Sequence, residues 1–232
     1  MLVPVKTVAQ MLYLSEKEIH RLIKQSGIPY HRINDQYLFS RTEILEWATV
    51  RRMRVSPRFF AEDSGAGMSL PSLLEAVRAG GFLYGIQGTD QATVLRSIVG
   101  QIRLPEGCDR DFLYEVLLAR ESMGSTGVGN GIAIPHVRNP VVLQVTGPSV
   151  SVCFLHDPID FNAVDGKPVD ILFTLISPTV QSHLHLLSRI GFVLHNADFR
   201  AGLVRRAPAA ELFGLLEKAE AEIPVSGTGA AD

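Results

Sequence analysis

Cysteine is nearly absent: Cys108 and Cys153 are the only two in 232 residues. Two thiols cannot build the disulfide framework of a small secreted domain or a four-cysteine zinc ribbon. Both are expected to be buried and reduced. Long apolar runs are missing too, since none approaches the ~18–20 residues that a membrane span needs. The opening residues, MLVPVKTVAQ, lack a basic stretch followed by an apolar one, so no secretory signal is expected. Internal repeats and low-complexity blocks are not found. These absences point to a cytoplasmic protein with no membrane partner. What is present is ordinary for a folded chain: 46% apolar and 20% charged residues, too apolar for intrinsic disorder. The length suits one large domain or two modest ones.

The net charge of −2 conceals an asymmetry. Residues 1–58 carry ten Lys and Arg against five Asp and Glu. The rest of the chain is acidic. Opposite signs in two parts suggest two domains with different partners. A small basic module suits nucleic acid, although a merely solvated face reads the same way. A Pro/Gly/Ser-rich stretch around residues 56–67 marks a boundary. The expected organisation is a first domain over 1–56, a linker over 57–68, a second domain over 69–222 and a disordered tail over 223–232.

In the basic part, Thr7 is expected to cap a short helix with Val8, Met11 and Leu12 on one face. Ser15 and Glu18 then form an S-x-x-E capping box. The helix they open turns Ile19, Leu22 and Ile23 inward and Lys17, His20, Arg21, Lys24 and Gln25 outward. Ser26 and Gly27 stop it. Two strands around an Asn34–Asp35 turn follow. Ser40 and Glu43 make a second S-x-x-E box, opening a helix that buries Ile44, Leu45 and Trp47. His20 and His31 have no metal-ligand companion at i+3 or i+4 and are expected to be ordinary surface residues.

The stretch TVAQMLYLSEKEIHRLIKQSGIPYHRINDQYLFSRTEILEWA resembles the small winged helix-turn-helix domains of the excisionase and MerR type. That resemblance implies a second helix in the DNA major groove, with Lys17, His20, Arg21, Lys24 and Gln25 facing the groove and Arg32 on phosphate. The sequence departs at the wing tip, where Asn-Asp-Gln stands in place of a glycine-rich basic tip. A protein-interaction module is the alternative.

The acidic part reads as α/β. Helices are expected from Leu70 to Ala79, from Thr89 to Ile102 with Val94, Leu95, Ile98 and Val99 buried, and from Asp109 onward. The last has Phe112, Leu113, Val116, Leu117 and Leu118 as its core face. Residues 149–156 and 169–176 read as buried strands, with an Asp165–Gly166 turn between them. Helices after Pro178, at 197–204 and at 208–222 close the domain. The run from Gly124 to His136, GSTGVGNGIAIPH, has four glycines in eight residues. Such a run is either a flexible loop or a place where backbone amides approach a ligand. It lacks the Lys and following helix of a Walker loop and the glycine spacing of a dinucleotide fingerprint. His183 and His185 are two apart, so on one helix they face different sides and cannot jointly chelate an ion.

LLARESMGSTGVGNGIAIPH, AVDGKPVDILFTLISP and HLHLLSRIGFVL resemble, in order, the active-site segments of phosphotransferase-system enzyme IIA. The fructose/mannitol class and its nitrogen-regulatory branch are the nearest. The likeness spans about residues 68–220 and implies an α/β domain with a mixed sheet flanked by helices. It implies that His136 carries the phosphoryl group, that His183 assists by hydrogen bonding, and that Arg120 lies near the phosphoryl group. Ser125, Thr126, Gly127, Gly129 and Gly131 would cradle its oxygens. His185 would be structural, and His156 and His195 incidental. Val128, Ile132 and Val137 are either part of the core or the apolar surface on which a donor docks.

The implied activity is phosphoryl transfer through phosphohistidine, needing no metal or other cofactor. The implied donor is a histidine phosphocarrier protein. The fused basic domain suggests a regulator that reports phosphorylation to DNA, with regulatory protein targets and a homodimer as further partners. A transport enzyme IIA serving a separate enzyme IIB, or an unphosphorylated interaction protein, are the alternatives.

Overall fold

The computed structural model describes residues 2–25, 27–33, 36–51, 53, 55–56, 70–104, 109–137, 143 and 145–223. Cys108, the Asn34–Asp35 turn, Ser26, all of the expected linker and the tail from 224 lie outside these residues.

The first elements are β1 (Leu2–Pro4), α1 (Val5–Met11), α2 (Glu16–Gln25), β2 (His31–Ile33), β3 (Gln36–Ser40) and α3 (Arg41–Val50). The helix-turn-helix and two-stranded wing match expectation. The capping box holds: Ser15 N donates to Glu18 Oε2 at 2.7 Å and Glu18 N to Ser15 Oγ at 3.3 Å. Two local expectations fail. Helix α1 starts at Val5 behind Pro4, not at Thr7, because proline already holds the dihedral of a helix entrance and lacks the N–H that would need a cap. Ser40 is the N-cap of α3 but accepts no cap hydrogen bond. Its intended partner Glu43 instead meets His31 Nε2 at 3.1 Å. Strand β1, not anticipated, pairs antiparallel with β3 and completes a sheet of order β1-β3-β2.

The second part runs α4 (Leu73–Gly80), β4 (Phe82–Ile86), α5 (Gln91–Gln101), α6 (Arg110–Ser122), β5 (Gly127–Gly129), β6 (Ile132–Ala133), β7 (Ser149–Ile159), β8 (Val169–Ile176), α7 (Val180–Val193), α8 (Ala197–Val204) and α9 (Ala209–Ala221). The five strands form one mixed sheet in the order β4-β7-β8-β6-β5. Pairing is parallel for β4–β7 and β6–β8, and antiparallel for β7–β8 and β5–β6.

Strand periodicity divides the core. Val152 and Phe154 of β7, with Ile171, Phe173 and Leu175 of β8, pack with α4, α7 and α9. Cys153 and Leu155, with Leu172 and Ile176, face α5 and α6. Cys153 is buried, and that burial pushes its thiol up to about 12, so it is inert packing. On α6, Leu113 and Leu117 are buried, but Phe112 is 40% exposed. It adjoins the N-cap Asp109 and points away from the leucine stripe, so its assignment to the core is corrected.

The first core layer continues through Val128, Ile132 and Ile134 into Ile44, Leu45, Trp47 and Ala48 of α3. The helix-turn-helix is therefore packed against the α/β part. Among the described residues no helix is long and apolar enough to cross a membrane.

Candidate functional site

The glycine-rich run is a folded hairpin. Gly129, Asn130 and Gly131 all have positive φ (82°, 52° and 76°), the left-handed backbone that glycine and asparagine adopt most cheaply. Asp165 Oδ2 pins the turn by accepting from Asn130 N at 2.8 Å. Gly127 answers to a close approach: a Cβ there would lie 2.7 Å from Ala163. The flexible-loop reading thus gives way to β5 and β6, paired into the sheet.

The hairpin delivers His136 to the end of β8. Its backbone bridges Leu175, and Leu175 N donates to the Pro135 carbonyl at 3.0 Å. The imidazole Nδ1 lies 2.7 Å from the Ile134 carbonyl oxygen. A carbonyl only accepts, so Nδ1 carries a hydrogen, and Nε2 is the nitrogen turned towards the rest of the site.

His183 enters from the first turn of α7, whose N-cap Thr179 accepts from Ser182 N at 3.1 Å. Its ring centroid is 5.2 Å from that of His136. Its Nδ1 lies 3.4 Å from Ser177 Oγ, while Nε2 is buried with no partner. Burial first, then the neighbouring His136 and Arg120 charges, lower its pKa to about 3 against the pull of Glu46. The ring is therefore neutral at physiological pH.

Arg120 comes from the last turn of α6. Its Nη1 donates to the Gly124 carbonyl at 2.9 Å, and its Nε is buried without a partner. The next residue, Glu121, holds the entry to the hairpin: Thr126 N and Oγ1 donate to its carboxylate at 2.9 and 2.7 Å. Burial raises the Glu121 pKa and outweighs those hydrogen bonds.

Of the residues expected to cradle phosphate, Ser125 Oγ donates to the Phe161 carbonyl and accepts from Gly127 N. The Thr126 hydroxyl is engaged by Glu121. Gly127, Gly129 and Gly131 shape the hairpin. His136, His183 and Arg120 are brought together.

His185, two residues from His183, faces elsewhere. Arg189 Nε donates to its Nε2 at 2.9 Å, and Arg189 Nη1 binds Glu220 at 2.6 Å. Burial and Arg189 lower its pKa to about 4. His156 is exposed beside Asp157, and His195 lines a cavity of about 620 Å³ between α7 and the residues after α3. Val128, Ile132 and Val137 are all buried.

One acid was not singled out by the sequence. Glu46 of α3 places Oε1 3.4 Å from His136 Nε2 and Oε2 3.3 Å from Arg120 Nη2. Burial opposes its charge, but the hydrogen bond with His136 and the charges of His136 and Arg120 prevail and lower its pKa. The one available signal was its place in the run Ile-Leu-Glu-Trp-Ala, an acid among core positions that must find a partner.

On α2, Lys17, His20, Arg21, Lys24 and Gln25 are all exposed on one face, and Arg32 is exposed on β2. The His20 ring meets Tyr37 edge-on at 5.9 Å.

Comparison with known proteins fits this arrangement. Residues 82–219 match the family model of the phosphoenolpyruvate-dependent sugar phosphotransferase system, EIIA 2. Residues 4–52 match a helix-turn-helix domain. A nitrogen regulatory protein of Pseudomonas aeruginosa is 42% identical over 143 residues, 60% of this chain and 90% of that protein. The Escherichia coli nitrogen regulatory protein is 48% identical over 81 residues, 34% of this chain and 48% of that protein. The crystal structure of nitrogen regulatory protein IIA-Ntr from Neisseria meningitidis aligns with a TM-score of 0.50 and 27% identity, covering 58% of this chain and 91% of that one. With its hairpin-borne histidine brought together with a histidine of α7 and an arginine of α6 beside one mixed sheet, the chain belongs to the EIIA 2 family of the phosphotransferase system and carries a helix-turn-helix domain ahead of it.

Proposed function

We propose that the chain is a regulatory phosphocarrier of the nitrogen-regulatory type, a transferase component of the phosphotransferase system. In this reading His136 Nε2 accepts a phosphoryl group from a phosphorylated histidine carrier protein, and the N-terminal domain couples that state to DNA. The observation that carries it is the Nδ1 contact with the Ile134 carbonyl, which keeps a hydrogen on Nδ1 and so favours Nε2 as the nucleophile. Attack forms the Nε2–P bond as the donor's N–P bond breaks, and the electron pair returns to the donor ring. The Nδ1 proton stays on the ring, donated to the Ile134 carbonyl.

Phosphoryl transfer is governed by positioning and by stabilising charge on the equatorial oxygens. Two buried donors without partners stand beside the nucleophile, Arg120 Nε and His183 Nε2. Orphaned buried polar atoms call for a ligand, and phosphoryl oxygens supply what both lack. His183, neutral, donates one hydrogen bond without repelling the incoming phosphorus. Arg120 adds a permanent charge. Ser125, Thr126 and the three glycines then act mainly by shaping the hairpin, with backbone amides as the remaining contribution to a cradle.

The helix-turn-helix match favours a regulator over a transport component. On α2 the cations Lys17, Arg21 and Lys24 suit phosphate and base edges of the major groove, flanked by His20 and Gln25, with Arg32 on the backbone.

The test is intact-mass analysis after incubation with phosphoenolpyruvate, enzyme I and the histidine carrier. The expected result is one added phosphoryl group that is absent in His136→Ala. DNA binding is then measured in both states, with Lys17, Arg21 and Lys24 changed to Ala as control. No phosphoryl gain overturns the carrier reading. DNA affinity that is absent, or identical in both states, overturns the coupling.

A further inference from the structure

A phosphocarrier histidine must meet a donor protein, yet here it is sealed. His136 is 4% exposed, His183 1% and Arg120 8%. The cover is α3. Its Glu46 carboxylate spans His136 Nε2 and Arg120 Nη2 at 3.4 and 3.3 Å. One turn further, Thr49 lies against α7, where a Cβ on Gly191 would be 3.9 Å from Thr49 Cγ2. Val128 and Ile132, which flank the site on β5 and β6, are buried in the core that includes α3.

The carboxylate is an anion with its oxygens shared between the nucleophile and the site's arginine. A phosphoryl group on Nε2 would need that place. A hydrogen bond donated from Nε2 to Glu46 also puts a proton where attack on phosphorus requires a lone pair. A transferred phosphoryl brings roughly two negative charges, set against a carboxylate within a few ångströms in a half-dry pocket, where like charges repel strongly. Without phosphate the same carboxylate neutralises a buried arginine that would otherwise be costly to leave unpaired.

We infer that the N-terminal domain is an autoinhibitory lid on the phosphotransfer site, with Glu46 standing in for the phosphoryl group, so that docking of α3 and phosphorylation of His136 exclude one another. The inference rests on the phosphocarrier reading and adds its regulation. The coupling is reciprocal: docking withholds His136 from the donor, and the phosphate, once present, drives α3 off.

The experiment uses the full chain and a phosphorylated histidine carrier regenerated from phosphoenolpyruvate and enzyme I. Initial phosphorylation rates are compared for the unchanged chain, Glu46→Gln, Glu46→Arg and Glu43→Gln. The last removes an acid of α3 that faces His31 instead. Glu46→Gln keeps the shape and loses the charge; Glu46→Arg opposes Arg120 outright. The two Glu46 variants are expected to accept phosphate about 5- to 150-fold faster, the usual span of a coupling between sites, and Glu43→Gln at the original rate. Hydrogen exchange is followed in parallel, and amides of α3 are expected to lose protection when the unchanged chain is phosphorylated.

Unchanged rates in both Glu46 variants overturn the inference, as does unchanged exchange in α3 on phosphorylation. In either case phosphate on the unchanged chain leaves the carrier reading standing. Phosphate on none of the chains overturns both.

Discussion

Glu121 holds Thr126 by two hydrogen bonds, to its N–H at 2.9 Å and its hydroxyl at 2.7 Å, and both residues are buried. Glu121→Ala removes both acceptors. A buried donor left without a partner costs about 1–3 kcal/mol. The hydroxyl can rotate to another acceptor, whereas the N–H is fixed by the backbone, so the gross loss is about 2–4 kcal/mol. Part is returned, because the carboxylate is itself raised in pKa by burial and its removal relieves desolvation. A net loss near 2 kcal/mol corresponds to a fall in Tm of roughly 4–8 °C for a chain of this size. Glu121→Gln separates the causes. Its amide oxygen accepts from Thr126 N, and its NH2 donates to the Thr126 hydroxyl. Both links survive without the charge, and at pH 7 this variant should match or exceed the original stability. The assay is urea unfolding followed by circular dichroism, with phosphoryl uptake measured beside it. Uptake by Glu121→Ala should fall roughly 10- to 100-fold, since a displacement of about 1 Å at a reacting atom costs on that order. Two results would refute the reasoning: Glu121→Ala within about 0.5 kcal/mol of the original, or Glu121→Gln as damaged as Glu121→Ala.

Two further outcomes follow from the same site. His183 has a folded pKa of about 3 against an ordinary 6.5, so the unfolded chain binds a proton that the folded chain refuses. Stability from this ring is complete above pH 6.5 and declines as pH falls towards about 3, by about 1.4 kcal/mol per unit. Urea unfolding between pH 6 and pH 5 should show that slope, reduced in His183→Asn; an undiminished slope counts against it. Gly131→Ala combines a φ of +76° with a Cβ 2.9 Å from Asp170 Oδ1, and Asp170 is itself held by Arg206. A loss of about 1–3 kcal/mol is expected; a chain as stable as the original in the same titration would show that the hairpin turn can relax.

What the sequence made legible was local. Ser15 with Glu18, and Asp109 at the head of α6, are signals complete within four residues, and the structure contains both. Val94, Leu95, Ile98 and Val99 recur at helical spacing and are all buried. Local signals failed where a neighbour competed: Pro4 took the helix entrance from Thr7, and His31 took Glu43 from Ser40. Strand β4 went unseen because FLYGI at the sheet edge is exposed at its middle and broken by Gly85. The glycine run was ambiguous because a Gly-Asn-Gly turn and a flexible loop share a composition. His136, His183 and Arg120 were found through resemblance, since residues this far apart in the chain carry no mutual spacing. Glu46 was out of reach for the same reason: its partners are 90 and 74 residues away.

Glu220 accepts from the backbone amides of Leu73 and Leu74 at 2.5 and 2.9 Å, so the last helix caps the first helix of the α/β part across 147 and 146 residues. On a ribosome that order has a cost in time. At about 5–20 residues per second, α4 emerges roughly 7–30 s before its cap exists. Strand β4 likewise waits for β7. The helix-turn-helix is complete early, while its landing surface on β5 and α7 is still unmade. The nascent chain must therefore carry a finished small domain tethered to an open sheet, and the contact between Glu46 and His136 must wait for the 90 residues that separate them.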